Sequence, residues 1–349
     1  MKVKKFVYIG ILFLSFFTGW YMNDMAEICW ERNEIAEQSI SKALQLKSAY
    51  GDIEACHPKV IAFSEPWNGY SYWISFSPYP QADDSKENPH ILASNDLINW
   101  VEPKGFENPL EDTPDRYFPG LVYNSDPELV YNSDADNLEC WWRFVDDETG
   151  NVIIYRSWTN DGVHWSDKEI MIQSIRKNQD FVSPALLYED GKYKMWSVGS
   201  GYQVQYMESK DGYEWSDIRF IDIEYNFSNL KSWHLSMTHD EVYGYELLIS
   251  AFDSEADKSR RAMNLYYTKS NDNINYDKAE AILVPMKSNW NNRGLYRSSL
   301  IHTGNDVYYL FYSGIGENGS RGIGLMVGEN IEDLREFSLL NNDKLGGSI

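Results

Sequence analysis

Along most of the chain, short apolar, aromatic-rich runs are separated by clusters of polar and turn residues. Runs such as YSYWISFSPYP, NVIIYRSWT, YKMWSV and YELLISAFD are short, rich in aromatic and β-branched residues, and bounded by Gly, Asn, Asp or Pro. That pattern predicts half-buried β-strands, and the helix-alternating pattern of a parallel α/β fold is missing. The strands recur in a fixed order: an opening segment, commonly x-Pro, then an aromatic strand, a further strand, and a turn closing on an aromatic ring. The first copy opens at His57-Pro58 and closes at Trp100, and the second runs from Ser125-Asp126-Pro127 to Trp165. The third runs from Ser183-Pro184 to Trp215, the fourth from Trp233-His234 to Tyr276, and the fifth opens at Tyr296-Arg297-Ser298. Self-similarity at roughly 40–60 residues, with three or four strands per unit, is the mark of a β-propeller. The expected fold is therefore all-β, a five-bladed propeller over residues 51–340 with a short tail at 341–349. The turn element Ser/Thr-Asn/Lys-Asp-x-x-x-Trp/Tyr places an acid at Asp96, Asp161, Asp211 and Asp272. Asp in such turns bonds to neighbouring amides, so these four acids read as structural.

Ahead of the repeats the pattern changes twice. Lys2, Lys4 and Lys5 precede an uncharged run from Phe6 to Met22. Residues 1–25 thus read as a secretory signal or a membrane anchor, with the lysines holding the N-terminus in the cytoplasm. From Ala26 to about Tyr50, Ile28, Ile35, Ile40, Ala43 and Leu46 recur among charged residues, which predicts an amphipathic helical stalk ended by Gly51. The propeller is then expected outside the cytoplasm, membrane-anchored through the N-terminal helix or secreted.

Composition narrows the partners. A net charge of −22 without an offsetting basic patch excludes nucleic acid as a natural ligand. Aromatic residues make up 15% of the chain, an excess that suits pleated strands and also suits stacking on sugar faces. Cys29, Cys56 and Cys140 are too few for a disulfide framework; Cys56 and Cys140 either pair in an oxidising compartment or stay as buried thiols.

In a propeller the innermost strand of each blade lines a central channel, so five strand openings converge from distant points in sequence. Here they are His57, Asp126, Ser183, His234 and Arg297, a polar set on otherwise apolar strands, and they predict a polar pit. His57, Asp126 and His234 have the donor types of a facial metal site. No short-range pair such as His-x-x-x-His supports one, however, and histidines on separate blades need not meet, so no metal is assigned.

The text HPKVIAF…WNGYSYWISFSPYP, SDPELVY and SPALLYEDGKYKMWSV resembles the five-bladed propellers of glycoside hydrolase families 43, 32 and 68, over roughly residues 55–330. The resemblance implies a sugar in the central cavity and hydrolysis of a glycosidic bond by paired carboxylates. Asp126 in Ser-Asp-Pro matches the second-blade acid, which tunes the general acid or steadies charge on the sugar ring. His57 stands where the first-blade Asp would be, and Val182 where the general-acid Glu would be. Substitutes for the missing acids are Glu87 in Lys-Glu-Asn-Pro, Asp180, and the imidazoles of His57 and His234. The catalytic candidates are thus Asp126, Glu87, His57 and Asp180. Ser183, His234, Arg297, Trp67, Asn68 and Arg116 are expected to bind substrate, Arg297 through a carboxylate or phosphate. Trp67-Asn68-Gly69-Tyr70 is either a sugar-stacking rim or a plain turn. The resemblance allows a structural calcium in the channel and implies no other cofactor. The expected function is a glycosidase-like propeller acting on or binding an extracellular poly- or oligosaccharide; a non-catalytic carbohydrate-binding propeller, or a scaffold in polysaccharide processing or export, is the alternative.

Overall fold

A computed structural model of the protein describes residues 43–51, 54–113, 121–256, 260–285, 290–303 and 307–337. Five antiparallel sheets follow one another along the chain. Blade one holds β1 (Ala55–Trp67), β2 (Tyr70–Pro78) and β3 (His90–Ser94), and blade two holds β4 (Val122–Asn132), β5 (Asn137–Asp146), β6 (Asn151–Thr159) and β7 (Glu169–Ile175). Blade three holds β8 (Val182–Glu189), β9 (Lys192–Val198), β10 (Val204–Ser209) and β11 (Arg219–Ile221). Blade four holds β12 (Leu230–Asp240), β13 (Gly244–Asp253), β14 (Asn264–Ser270) and β15 (Glu280–Leu283). Blade five holds β16 (Gly294–Thr303), β17 (Val307–Ile315), β18 (Arg321–Gly328) and β19 (Arg335–Glu336). The first strands β1, β4, β8, β12 and β16 touch one another in a closed ring, so the predicted five-bladed propeller is the fold.

Period-two alternation explains the packing, because each strand serves two interfaces. On β5, Trp141 enters the cluster shared with blade three, while Cys140 and Trp142 enter the cluster shared with blade one. On β13, Leu247 and Ile249 face blade three and Leu248 faces blade five. Two-residue Asn68-Gly69 and Asp190-Gly191 hairpins join β1 to β2 and β8 to β9, with positive φ at all four residues, the backbone such tight turns require. The four turn acids are structural as expected: Asp96, Asp161, Asp211 and Asp272 each accept two backbone N–H bonds through Oδ1. In two of these turns, glycine admits an indole from the preceding blade. A Cβ on Gly162 would lie 2.2 Å from Trp73, and one on Gly212 would lie 3.0 Å from Trp141.

The predicted stalk departs from expectation at its end. Residues 43–48 form no helix; Leu44 N–H donates to Ile323 O at 2.7 Å, and Leu46 is buried among side chains of blades one and five. An apolar seam between two sheets takes an extended strap more readily than a helix some 10 Å across. The predicted anchor, and the stalk up to residue 42, lie outside the described residues. Among the described residues no helix is long and apolar enough to cross a membrane. Cys56 and Cys140 are buried free thiols, and burial pushes the Cys56 thiol up to about 12.

Candidate active site

The site begins with a repeated irregularity. Every inner strand carries a register shift close to its opening: Cys56/Lys59 on β1, Ser125/Glu128 on β4, Val182/Ala185 on β8, Ser232/His234 on β12 and Leu295/Ser298 on β16. Such a bulge leaves a residue out of the ladder and re-aims its side chain. In the first three blades Pro58, Pro127 and Pro184 sit at the bulge, where a missing N–H removes no ladder bond. The preceding residues His57, Asp126 and Ser183 take φ of 54°, 53° and 53°, in the left-handed region that non-glycine residues rarely occupy.

Three of the five openings form one cluster. The ligand-type atoms of His57, Asp126 and His234 all lie within 4.8 Å of one another, and all three residues are buried. His57 Nε2 and His234 Nδ1 approach Asp126 Oδ1 at 3.5 and 3.3 Å. Neither approach has hydrogen-bond geometry, and both nitrogens of each imidazole and Asp126 Oδ1 lack a hydrogen-bond partner. On its other edge, His57 Nδ1 faces Glu87 Oε1 at 3.6 Å. Asp126 is held from behind, where Oδ2 accepts the backbone N–H of Ser183 at 3.2 Å. The Tyr296 ring packs 4.1 Å from His234 and 5.1 Å from His57, and the Arg321 guanidinium lies 5.8 Å from the Tyr296 ring.

Burial sets the charge states. It lowers the pKa of His57 and His234 despite the opposing pull of Asp126, so both rings are neutral at neutral pH. For Asp126, burial pushes upward, but the two imidazoles and Arg297 outweigh it and hold the carboxyl below its usual range. Burial, then Asp84 and Asp126, raise Glu87 well above the ordinary carboxylate range. Burial also keeps Tyr296 a phenol.

Sequence spacing argues against a metal here, yet the two histidines meet because the five-fold ring brings β1 and β12 across a narrow axis. Ligand atoms about 2.1 Å from a shared divalent ion stand roughly 3–3.5 Å apart, which matches the 3.5 and 3.3 Å between Asp126 Oδ1 and the two imidazoles, while all three ligand atoms lie within 4.8 Å of one another. Neutral imidazoles with free lone pairs beside an ionised carboxylate complete the fit.

The other expected site residues go elsewhere. Arg297 is fully buried, donating to the carbonyls of Leu235, Pro127 and Pro184 and to Glu128 Oε2 at 2.6 Å. Lys59 joins the same group through Glu128 at 3.0 Å and Met237 O at 2.9 Å. This ionic floor ties all five inner strands, so Arg297 binds protein rather than substrate. The Ser183 hydroxyl is engaged with the Leu235 backbone, accepting from its N–H at 3.0 Å and donating to its carbonyl at 3.1 Å. Asp180 has one carboxylate oxygen on Arg143 and the other 3.4 Å from Arg176, which makes it an ion-pair anchor rather than a proton carrier. Trp67 ends β1 and Asn68 begins the hairpin turn there, ten and eleven residues from His57 and so about 30 Å away at strand rise. Arg116 lies outside the described residues. Val182 is buried between blades three and four. Tyr296, one residue before Arg297, is the site residue that sequence reasoning missed; blade five has no x-Pro to mark its bulge, and a one-residue slip exchanges the two faces.

No protein-family model matches the chain. Over 321 residues it is 28% identical to the A type blood N-acetyl-alpha-D-galactosamine deacetylase of Flavonifractor plautii; the match covers 77% of this chain and 41% of that protein, so the chain spans about two fifths of its relative's length. It superposes with a TM-score of 0.75 and 22% identity on an N-acetylgalactosamine deacetylase from F. plautii solved in complex with blood group B trisaccharide, covering 89% of this chain and 99% of that one. A family 43 β-1,3-galactosidase solved with galactodeoxynojirimycin superposes with a TM-score of 0.56 and 10% identity, covering 85% and 97% of the two chains. The structural neighbours of this five-bladed propeller thus include family 43 glycoside hydrolases and a carbohydrate deacetylase.

Proposed function

We propose that the chain removes the acetyl group from an N-acetylated sugar bound over the central pit, with a divalent cation held by His57, Asp126 and His234. The observation that carries this reading is the trio of buried ligand atoms that face one another without hydrogen bonds. The relative's activity on an N-acetylated galactosamine supports the choice of substrate class. Glycosidic cleavage needs two carboxylates facing each other across the scissile bond. Here Asp126 and Glu87 face opposite edges of one imidazole, which favours the amide over the glycoside.

When bound, the cation would polarise the acetyl carbonyl and lower the pKa of a coordinated water. The chain's own groups do the rest. Glu87, in its ionised form, takes a proton from the attacking water, and burial makes it the stronger base by raising its affinity for that proton. The water oxygen bonds to the carbonyl carbon, the C–N bond breaks, and the proton passes to the departing sugar amine, leaving acetate. Tyr296, kept as a phenol, offers a donor beside both imidazoles for the carbonyl oxygen. Ser183 N–H holds Asp126 so that Oδ1 faces the imidazoles. The lysine-flanked apolar run supports an extracytoplasmic propeller, anchored or secreted, acting on surface or exported glycan.

The test is acetate release from oligosaccharides ending in N-acetylgalactosamine or N-acetylglucosamine, run beside aryl glycosides. Measurements use the full chain after EDTA treatment and after return of Zn²⁺, Mn²⁺ or Co²⁺. Acetate release that EDTA abolishes and a cation restores is expected, with Asp126→Asn and His234→Ala each weakening cation binding at least about tenfold. Cleavage of glycosides that EDTA leaves untouched would overturn the proposal.

A further inference from the structure

We infer that the strap at residues 43–51 is a positioning element for Glu87, with Tyr50 its principal grip; this rests on the deacetylase reading of the pit. Glu87 lies on the connection between β2 and β3, not on a strand, so no ladder fixes it. Residues around it are instead held by the strap. Asn88 Nδ2 donates to the Tyr50 hydroxyl at 2.6 Å, and Lys86 places its ammonium 4.6 Å above the Tyr50 ring. Ala49 N–H donates to His90 Nε2 at 3.1 Å, and the Tyr50 and His90 rings pack at 5.6 Å. Since Nε2 accepts from Ala49, the ring proton sits on Nδ1, which donates to Asn88 O at 2.9 Å. Burial lowers the His90 pKa to about 4, so this neutral tautomer persists at neutral pH.

The strap is itself fixed at a point remote from the pit chemistry. Leu46 is fully buried between blades one and five, and Leu44 bonds to β18. Asn88 also bonds to Asp112 at 3.0 Å and accepts from Thr113 and Asn124, which joins the strap to the opening of blade two. Strap, loop and second blade thus meet at Asn88, next to the carboxyl that faces His57. A carboxyl carried on a connection needs such outside support to stay within reach of a reacting group.

The experiment compares full-length parent, Tyr50→Ala, Tyr50→Phe and Glu87→Gln. Hydrogen exchange over residues 84–90 reads the grip directly, without reference to activity. Faster exchange there in Tyr50→Ala, with the melting temperature held, is expected, together with a kcat for acetate release reduced about tenfold or more, since small misplacements of a reacting group carry such penalties. KM and cation affinity should stay within about twofold. Tyr50→Phe, which keeps the ring and loses the hydroxyl, should fall between the two and covers the case in which the alanine variant fails to fold. Unchanged exchange and unchanged kcat in Tyr50→Ala would overturn the inference, as would equal losses of kcat, cation affinity and stability. Should Glu87→Gln retain full turnover, the deacetylase assignment of Glu87 fails, while the exchange data still decide whether the strap holds the loop.

Discussion

Arg297 and His234 both open inner strands, yet their side chains have opposite fates. Every side-chain nitrogen of Arg297 meets an oxygen of another blade, whereas the His234 nitrogens face Asp126 and the pit without a hydrogen bond. Arg297 is therefore expected to matter for stability. Arg297→Met leaves Glu128 with Lys59 as its remaining cation, and breaking a buried pair from one side costs roughly 3–5 kcal/mol. Urea unfolding should show that loss, with KM in the surviving folded fraction unchanged; a large KM effect without destabilisation would return Arg297 to the substrate. Ser183 permits a finer separation, because its backbone N–H holds Asp126 while its hydroxyl holds Leu235. Ser183→Ala should lose about 1–3 kcal/mol of stability through the Leu235 N–H left unpaired, with kcat within a few fold of the parent. A sharp rise in KM would mean that the hydroxyl touches sugar.

At the scale of elements, two local devices recur around the ring. The bulge presents a polar side chain to the axis, and the Asp turn fixes where the third strand ends in blades one to four. Asp211 illustrates the turn: the backbone N–H groups of Glu214 and Tyr213, with the Ser209 hydroxyl, hold its carboxyl below the ordinary range. A depressed folded pKa adds stability that is present above the unfolded value of about 3.9 and is lost as pH falls through the folded one. The stability gap between parent and Asp211→Asn should therefore stay constant from about pH 7 to about pH 5 and narrow below about pH 3.9. An unchanged gap at the acid end would show that the amide replaces the carboxylate fully. The two devices also differ in legibility. The turn is written in seven consecutive residues, while the bulge is legible only where Pro follows, at His57, Asp126 and Ser183.

For the molecule as a whole, the problem is closing a ring whose first and last blades are far apart in sequence. Blade one has three strands, extended by a bridge between Ala93 and Val101, and its seam with blade five is filled by the strap. Leu46 is completely buried there and has no strand partner of its own. Leu46→Ala should destabilise the propeller by about 2–5 kcal/mol, the usual range for opening a cavity at a buried leucine. A melting temperature equal to the parent's would show that the ring closes without the strap. The same closure brings β1, β4 and β12 close enough for His57, Asp126 and His234 to meet, so ring integrity and site geometry are one property.

Local chemistry determined much of this protein in advance. Strand period, Asn-Gly and Asp-Gly turns and the repeated turn acid act over a few residues, so they stand in the sequence as blades and their order. Asp126 and Glu87 were legible as carboxylates near strand openings, and His57 and His234 as polar breaks in apolar strands. Only the tertiary structure decided which of these point at one another. The meeting of His57 and His234, the withdrawal of Arg297, Ser183 and Asp180 into protein contacts, and the distance from Trp67 to the pit depend on bulge register and ring diameter. Those are sums over five blades, and no short stretch of sequence carries them.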